Sequence, residues 1–179
     1  MRVAYYLAAT LDGRIAGPGH DLGFLQTLSG GPGTYGYEEF IAGIDGLVVG
    51  ASSWEFMKDY EWAYGERPAW LVTHNPDPPR VEGADMRVFS GDVADLVGEL
   101  EAAGLERVWV IGGGNVVGQF LAVDRIDEVI ITLAPTFLGR GPAVADGAFP
   151  LRRFRLVDVN RAGEREDVTL KYERDRSLD

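Results

Sequence analysis

Three consecutive glycines follow an apolar run and form the stretch of this chain best suited to ligand chemistry. The run Val108–Ile111 leads directly into Gly112–Gly114, and an amphipathic segment, Val116–Val123, comes next. This order predicts a strand, a tight turn and a helix. A turn without Cβ atoms lets a ligand approach its backbone, and the free N–H groups at a helix start attract phosphate. The turn therefore indicates nucleotide binding, with an ordinary strand-to-helix turn as an equal alternative.

The glycine turn matches neither of two standard phosphate-binding motifs. The dinucleotide fingerprint Gly-x-Gly-x-x-Gly fails because Val117 stands at its third glycine, and no Gly-Lys-Ser/Thr sequence follows. Two other predicted strands also end in small or hydroxyl residues, at Gly50 and Thr73. Because ligands of parallel sheets bind beyond the carboxyl ends of the strands, these ends and Gly112 are expected to share one crevice.

Strands alternate with helices along most of the chain, which is typical of an α/β protein. Apolar/polar alternation on both sides of Arg161–Glu164 predicts a C-terminal antiparallel hairpin. We therefore expect a three-layer α/β fold, with a mostly parallel central sheet and flanking helices, in a single domain spanning residues 1–179. The predicted strands are Val3–Ala9, Gly46–Gly50, Ala69–Thr73, Met86–Phe89, Arg107–Ile111, Glu128–Leu133, Phe154–Asn160 and Asp167–Tyr172. The predicted helices are Tyr35–Ile44, Ser52–Tyr60 (capped by Ser52 or Ser53), Val93–Ala103 and Val116–Val123.

Composition excludes several classes of function. The net charge of −11 and the scattered basic residues argue against nucleic-acid binding. The chain has no cysteine, which removes thiolate zinc sites and cysteine nucleophiles, and only His20 and His74 offer imidazole, so no metal site is expected. No apolar run approaches the roughly 20 residues that span a bilayer. We expect a cytoplasmic protein with no membrane partner.

Five segments, in this order and at compatible spacing, resemble the dihydrofolate reductase-like superfamily. They are most similar to the reductase domain of the bifunctional riboflavin biosynthesis protein and its stand-alone relatives. Each motif alone is weak, whereas the ordered set spans nearly the whole chain. The five segments are Ala9–Ala16, Val48–Glu55, Leu71–Pro76, Val110–Asn115 and Ala134–Pro142.

The resemblance implies NADPH as cofactor and hydride transfer from its nicotinamide. The glycine turn of this family faces the cofactor, often with a strained Gly-Gly peptide. Many relatives carry an arginine at the position of Ala51, so its absence leaves the choice between NADPH and NADH open; Arg80 or Arg87 could compensate. The implied cofactor-binding residues are Gly50, Ala51, Ser52, Ser53, Thr73, His74, Ile111, Gly112, Gly113, Gly114, Asn115 and Val116.

The proton donor is the hardest residue to assign. Asp21 lies in a segment resembling the one where folate reductases keep their acid, although riboflavin-type relatives carry it at the position of Gly23. The alternative role of Asp21 is to cap a following helix. Asp12 is the second candidate, with a turn role before Gly13 favoured. Thr132 matches a position beside the acid in folate reductases, and an ordinary strand residue is the equal alternative.

The leading hypothesis is therefore an NADPH-dependent reductase resembling 5-amino-6-(5-phosphoribosylamino)uracil reductase of riboflavin biosynthesis. One alternative is a dihydrofolate or pterin reductase. The other is a non-catalytic NADP-binding sensor, which the missing acid at Gly23 and the missing arginine at Ala51 favour. We expect a small-molecule substrate, pyrimidine riboside-like or pterin-like. A homodimer is also expected, because family members often pair and the C-terminal hairpin offers a free edge.

Overall fold

The computed structural model describes residues 1–30, 32–164 and 167–178. In these residues, eight strands form one sheet and four α-helices flank it. The strands are β1 (Arg2–Thr10), β2 (Gly46–Gly50), β3 (Ala69–Val72), β4 (Met86–Phe89), β5 (Arg107–Gly112), β6 (Glu128–Ala134), β7 (Phe154–Ala162) and β8 (Asp167–Arg174). The helices are α1 (Tyr37–Ala42), α2 (Ala51–Met57), α3 (Val93–Ala102) and α4 (Gly114–Ala122).

The strand order across the sheet is β4-β3-β2-β5-β1-β6-β8-β7. Every neighbouring pair from β4 to β6 is parallel, whereas β8 runs antiparallel to both β6 and β7. The predicted α/β architecture with a C-terminal antiparallel hairpin is thus confirmed. Because the parallel strands all point the same way, the ends of β2, β3, β4 and β5 meet at one edge, which is where the sequence predicts a crevice.

The centre of the sheet is covered on both faces, which explains why β2 and β5 are nearly continuous apolar runs. Helices α3 and α4 pack on one face, where Val3 and Tyr5 of β1 meet Leu96 of α3 and Phe120 of α4. On the other face, Phe40 of α1 packs beside Ala4, Leu47 and Trp109, and Trp54 of α2 packs on Val49 and Leu71. The result is the three-layer arrangement expected. No helix in the described ranges combines the length and apolarity needed to cross a membrane.

Helix starts were predicted less well than strands. The first helix begins at Tyr37 instead of Tyr35, because Gly36 adopts a left-handed conformation (φ +76°) that ends a preceding 3-10 turn. The prediction that Ser52 or Ser53 caps α2 is wrong: Gly50 is the N-cap residue, and the helix has no side-chain cap. Both serines therefore lie inside the first turn of α2.

Candidate functional site

A cleft of about 730 Å³ lies at the carboxyl ends of β2, β3, β4 and β5. Its floor contains the strand ends and the first turns of α2 and α4. One wall comes from residues 15–22 and 142–146, and the other from α2 and Tyr64. Ile15, Leu22, Phe56 and Met57 make these walls largely apolar, which suits the flat ring of a ligand.

One end of the cleft, which we call the glycine end (Gly50 and Gly112–Gly114), has a surface made mainly of backbone. A Cβ atom on Gly50 would lie 2.9 Å from Val116 Cγ2 and 3.0 Å from the Gly113 nitrogen, so only glycine fits between β2 and the turn. Gly112 has φ +124°, a conformation that favours glycine, and its peptide bond to Gly113 is cis.

Gly113 and the start of α4 present backbone atoms to the cleft. A Cβ atom on Gly113 would meet only Ser53 Oγ, at 3.9 Å, so the protein itself leaves that space open. Gly113 is the N-cap of α4, which has no side-chain cap. The first N–H groups of α4, at Gly114, Asn115 and Val116, have no intrahelical partner and can bind an anion.

The glycine end is supported by a wall of two paired segments. The Ile15 N–H donates to the Pro142 carbonyl at 3.0 Å, and the Val144 N–H donates to the Gly13 carbonyl at 3.1 Å. This wall presses against α4: a Cβ atom on Gly114 would overlap the Ala143 carbonyl oxygen. The backbone of the cleft is thus fixed by contacts between segments far apart in sequence.

The opposite end of the cleft, which we call the polar end, consists of Thr73, His74, Ser90, Gly91 and Asp92, which follow β3 and β4. The Thr73 hydroxyl accepts a hydrogen bond from the Asn75 N–H at 3.1 Å, and Thr73 as a whole is buried. Asp92 is the N-cap residue of α3, but its side chain makes no capping hydrogen bond. Its exposed carboxylate is therefore available to a ligand.

The cofactor-binding residues predicted from the sequence lie together around this cleft. Only Gly112 does not line it, although Gly113, its cis-bonded neighbour, does. That they bind a cofactor stays a prediction. The predicted residues that line the cleft are Gly50, Ala51, Ser52, Ser53, Thr73, His74, Ile111, Gly113, Gly114, Asn115 and Val116.

Asp12, one of the predicted acids, lies outside the cleft and holds a loop. Its carboxylate accepts hydrogen bonds from the Thr10 hydroxyl (2.6 Å), the Leu138 N–H (3.1 Å) and the Gly139 N–H (2.7 Å). The Thr10 bond, together with those two backbone bonds, lowers the pKa of Asp12 to about 2 although partial burial opposes this. At neutral pH the group is ionised, so this geometry gives it a structural role.

The other two predicted catalytic residues also lie outside the cleft lining. Asp21 Oδ1 accepts a hydrogen bond from the Gly23 N–H at 2.9 Å, and Leu22, rather than Asp21, occupies the N-cap position of the following 3-10 helix. The carboxyl of Asp21 is exposed and sits between two cleft residues, His20 and Leu22. Thr132 is buried in β6, where its hydroxyl bonds that of Thr169 at 2.8 Å.

Sequence reasoning missed several polar groups of the cleft, among them His20, Ser90 and Asp92. His20 lines it from a loop and has φ +63°, which is uncommon for a residue other than glycine and is enriched at functional sites. Ser90 and Asp92 follow β4, just as Thr73 follows β3 and Gly50 ends β2. Gly50 and Thr73 were predicted because ligands bind beyond the carboxyl ends of parallel strands. The same reasoning applied to β4 predicts Ser90 and Asp92.

The charge lining the cleft is anionic, with imidazoles as the only basic groups. Its ionisable lining side chains are His20, Tyr64, His74, Asp92 and Asp146, and none of the described lining residues is lysine or arginine. Both histidines of the chain therefore face one cleft. Attraction for a phosphate must come mainly from backbone N–H groups.

The sheet order, the covering helices and the cleft define an α/β fold of the dihydrofolate reductase-like class. The chain belongs to the RibD C-terminal domain family, whose model matches residues 46–166. The family resemblance found in the sequence is thus confirmed, and it supports a reductase of that family.

Two curated relatives differ in how much they share with the chain. YwjB of Bacillus subtilis, an uncharacterized protein, is 28% identical over 175 residues, which cover 97% of this chain and 98% of YwjB. The 2,5-diamino-6-ribosylamino-4(3H)-pyrimidinone 5′-phosphate reductase of Archaeoglobus fulgidus is 31% identical over 96 residues. That alignment covers 51% of this chain and 44% of the enzyme.

Solved structures share the fold. A candidate riboflavin biosynthesis protein of Shewanella sp. PV-4 superposes with a TM-score of 0.86 at 24% identity, over 98% of this chain and 100% of its own. The diaminohydroxyphosphoribosylaminopyrimidine deaminase/5-amino-6-(5-phosphoribosylamino)uracil reductase of Thermotoga maritima gives a TM-score of 0.74 at 19% identity, over 97% of this chain and 56% of its own. Both likenesses confirm the predicted fold.

Proposed function

We propose that this protein is a reductase that takes a hydride from a nicotinamide dinucleotide bound in the cleft. The observation that carries the proposal is the glycine end, where an open backbone turn meets the uncapped N-terminus of α4. These N–H groups suit a pyrophosphate, and the apolar walls suit a nicotinamide ring. Family membership supports the same assignment. The resemblance implies NADPH, and the side chains of the polar end bear on the choice between NADPH and NADH.

The proposed substrate is a small polar heterocycle similar to a ribosylamino-pyrimidine phosphate, as the name of the Archaeoglobus relative suggests. The ring-opened imine of such a substrate gains a hydride at C1 of the sugar and a proton at nitrogen, giving an amine. When bound, the dinucleotide supplies the hydride. The protein must therefore align the two reactants and deliver one proton.

We propose Asp21 as the proton donor, because it is exposed and adjoins two residues of the cleft wall. His20 is the second candidate, because its side chain lines the cleft. Asp21→Asn and His20→Ala should be compared by their pH–rate profiles. The variant in which the true proton donor has been replaced should lose most of kcat while keeping its affinity for the dinucleotide. Unchanged kcat in both variants would reject both candidates.

Binding and turnover should be tested separately on the purified protein. Tryptophan fluorescence during titration with NADH and NADPH reports binding. Loss of the reduced nicotinamide absorbance, with the pyrimidine riboside phosphate or with dihydrofolate, then reports turnover. Oxidation of the reduced nicotinamide in the presence of the pyrimidine riboside phosphate supports the proposal. Oxidation only in the presence of dihydrofolate favours a folate reductase. Binding without either reaction favours the sensor, whereas no binding rejects the whole proposal.

The Gly113→Val variant tests where the dinucleotide lies. Because the protein leaves space at this Cβ position, the variant should fold with a similar unfolding midpoint. The added side chain would occupy space proposed for the cofactor, so binding should be abolished. Native affinity in a folded Gly113→Val protein would reject binding against the glycine turn.

We also propose that the protein forms a cytoplasmic homodimer through β7. This strand is the free outer edge of the sheet, and Leu156, Val157 and Val159 on it are exposed. Antiparallel pairing of β7 with its own copy would continue the sheet and cover these side chains. Sedimentation should give a dimer for the native protein and a monomer for Val159→Lys. A native monomer at micromolar concentration would reject the interface.

A further inference from the structure

The two ends of the cleft are separated along the sheet. From β5, which leads into the glycine end, to β4, which leads into Asp92, the edge crosses β2 and β3. Three strand spacings of about 4.8 Å make this separation about 14 Å. A dinucleotide whose phosphates contact α4 and whose nicotinamide lies against the glycine end therefore extends its adenosine toward the polar end.

The side chains of the polar end lack the positive charge that commonly binds a phosphate ester. His74 is its single basic side chain, and the Asp92 carboxylate faces the same space. The 2′-phosphate that distinguishes NADPH from NADH would bring up to two further negative charges beside Asp92. Like charges at short range in a partly enclosed site repel strongly, and one imidazole does not offset both.

Of the two arginines that could have compensated, one is engaged in other contacts and the other lies outside the cleft lining. The guanidinium of Arg87 stacks on the Trp70 ring, with 4.5 Å from its central carbon to the ring centroid, and pairs with Asp85 at 3.3 Å. Arg80 is exposed and does not line the cleft. Neither side chain supplies the bidentate contact by which arginine commonly binds a phosphate.

The Asp92 carboxylate suits a ribose diol. It makes no capping hydrogen bond to α3, and as an ionised group it is an acceptor only. A carboxylate that accepts from the ribose 2′-hydroxyl favours NAD in other dinucleotide sites, whereas arginine accommodates the 2′-phosphate of NADP. We infer that the polar end selects NADH over NADPH and that Asp92 determines this specificity. The inference rests on the proposed function, because it assumes a dinucleotide in the cleft.

Calorimetric titration of the intact protein with NADH and with NADPH tests this specificity without any turnover. The native protein should bind NADH at least tenfold more tightly, a ratio equivalent to about 1.4 kcal/mol. Asp92→Asn and Asp92→Ser remove the charge but keep residue types that suit a helix N-cap, so α3 should remain folded. Both variants should reduce the NADH/NADPH affinity ratio at least fivefold, through tighter NADPH binding and weaker NADH binding.

Asp95→Asn is the matched control, because it removes the same charge from the first turn of α3 at an exposed position outside the cleft lining. Its affinity ratio should equal the native ratio. Native preference for NADPH, equal affinities, or an unchanged ratio in both Asp92 variants overturns the inference while the proposed function stands. Failure of the native protein to bind either dinucleotide overturns the proposed function and this inference together.

Discussion

At the glycine end of the cleft the binding surface is mainly backbone, whereas at the polar end it consists mainly of side chains. Gly50 and Gly114 are held by close contacts with neighbouring backbone, which leave little freedom for substitution. At the polar end, Asp92 presents a carboxylate that makes no capping hydrogen bond and could be exchanged without disturbing a neighbouring main chain. The first arrangement suits the diphosphate common to all nicotinamide dinucleotides, and the second suits discrimination between them.

This contrast predicts different consequences of mutation at the two ends. A side chain added at Gly50 or Gly114 should alter the fold of the cleft, because packing between backbones transmits any displacement. A change at the polar end should alter affinity or selectivity and leave stability almost unchanged.

The largest effect is expected for Gly118→Ala, on the face of α4 that packs against the wall of the glycine end. A Cβ atom there would overlap the carbonyl oxygen of Asp146, which is backbone and cannot rotate away. Overpacking of this kind costs about 1–3 kcal/mol. Urea denaturation should show that loss in the free energy of unfolding, together with weaker dinucleotide binding as the 142–146 wall shifts.

Gly98→Ala provides the matched control within a helix. Gly98 lies in α3, is exposed, and a Cβ atom on it would meet no atom within 4 Å. Alanine should therefore stabilise the protein by about 0.5–1 kcal/mol through helix propensity. Equal effects of the two substitutions would contradict the tight packing assigned to the wall of the glycine end.

The glycine end could be predicted from sequence because its signals are local. An apolar run followed by Gly112–Gly114 indicates a strand and a turn without reference to the rest of the chain. Asp92 is harder to predict, because β4 is a short edge strand with exposed Arg87 and Val88. Its sequence therefore lacks the apolar run that marks the end of a buried strand. Asp92 lies at the same end of the cleft as His74, which follows the neighbouring strand β3, and spacing in sequence does not reveal this.

The role of Asp12 was equally hidden from the sequence. The sequence around Asp12 indicates either a turn residue or a catalytic acid, and both interpretations depend only on the residues next to it in the chain. Two of its hydrogen bonds come from Leu138 and Gly139, more than 120 residues further along the chain. Contacts of this kind depend on which strands become neighbours, here β1 and β6, and are therefore known only once the sheet order is known.

A smaller effect is expected for Asp12→Asn, which weakens the base of the wall at the glycine end. The depressed pKa of Asp12 means that its ionised form stabilises the fold above about pH 4, and that this contribution is lost as pH falls toward 2. The variant should have a lower Tm than the native protein at pH 7. The difference should shrink progressively below pH 4, where the native carboxyl becomes protonated.

Thermal unfolding across pH 2–8 measures this difference, with Asp77→Asn as control. Asp77 is exposed and lies in the loop after β3, so its replacement should leave the Tm unchanged at every pH. A Tm difference for Asp12→Asn that is constant with pH would show that the carboxylate charge is not what holds the 138–139 loop.

The smallest predicted effect comes from removing a single hydroxyl group, and it compares Thr73 at one end of the cleft with Ser53 at the other. Thr73→Val at the polar end removes a buried hydroxyl that can donate to the ligand, and it should weaken NADH binding by about 0.5–1.5 kcal/mol. Ser53→Ala at the glycine end should change affinity by less than about 0.5 kcal/mol, because backbone groups carry the binding there. Calorimetry on both variants measures the contrast. If Ser53→Ala costs as much as Thr73→Val, side chains contribute equally at both ends, and the distinction between a backbone-built and a side-chain-built end fails.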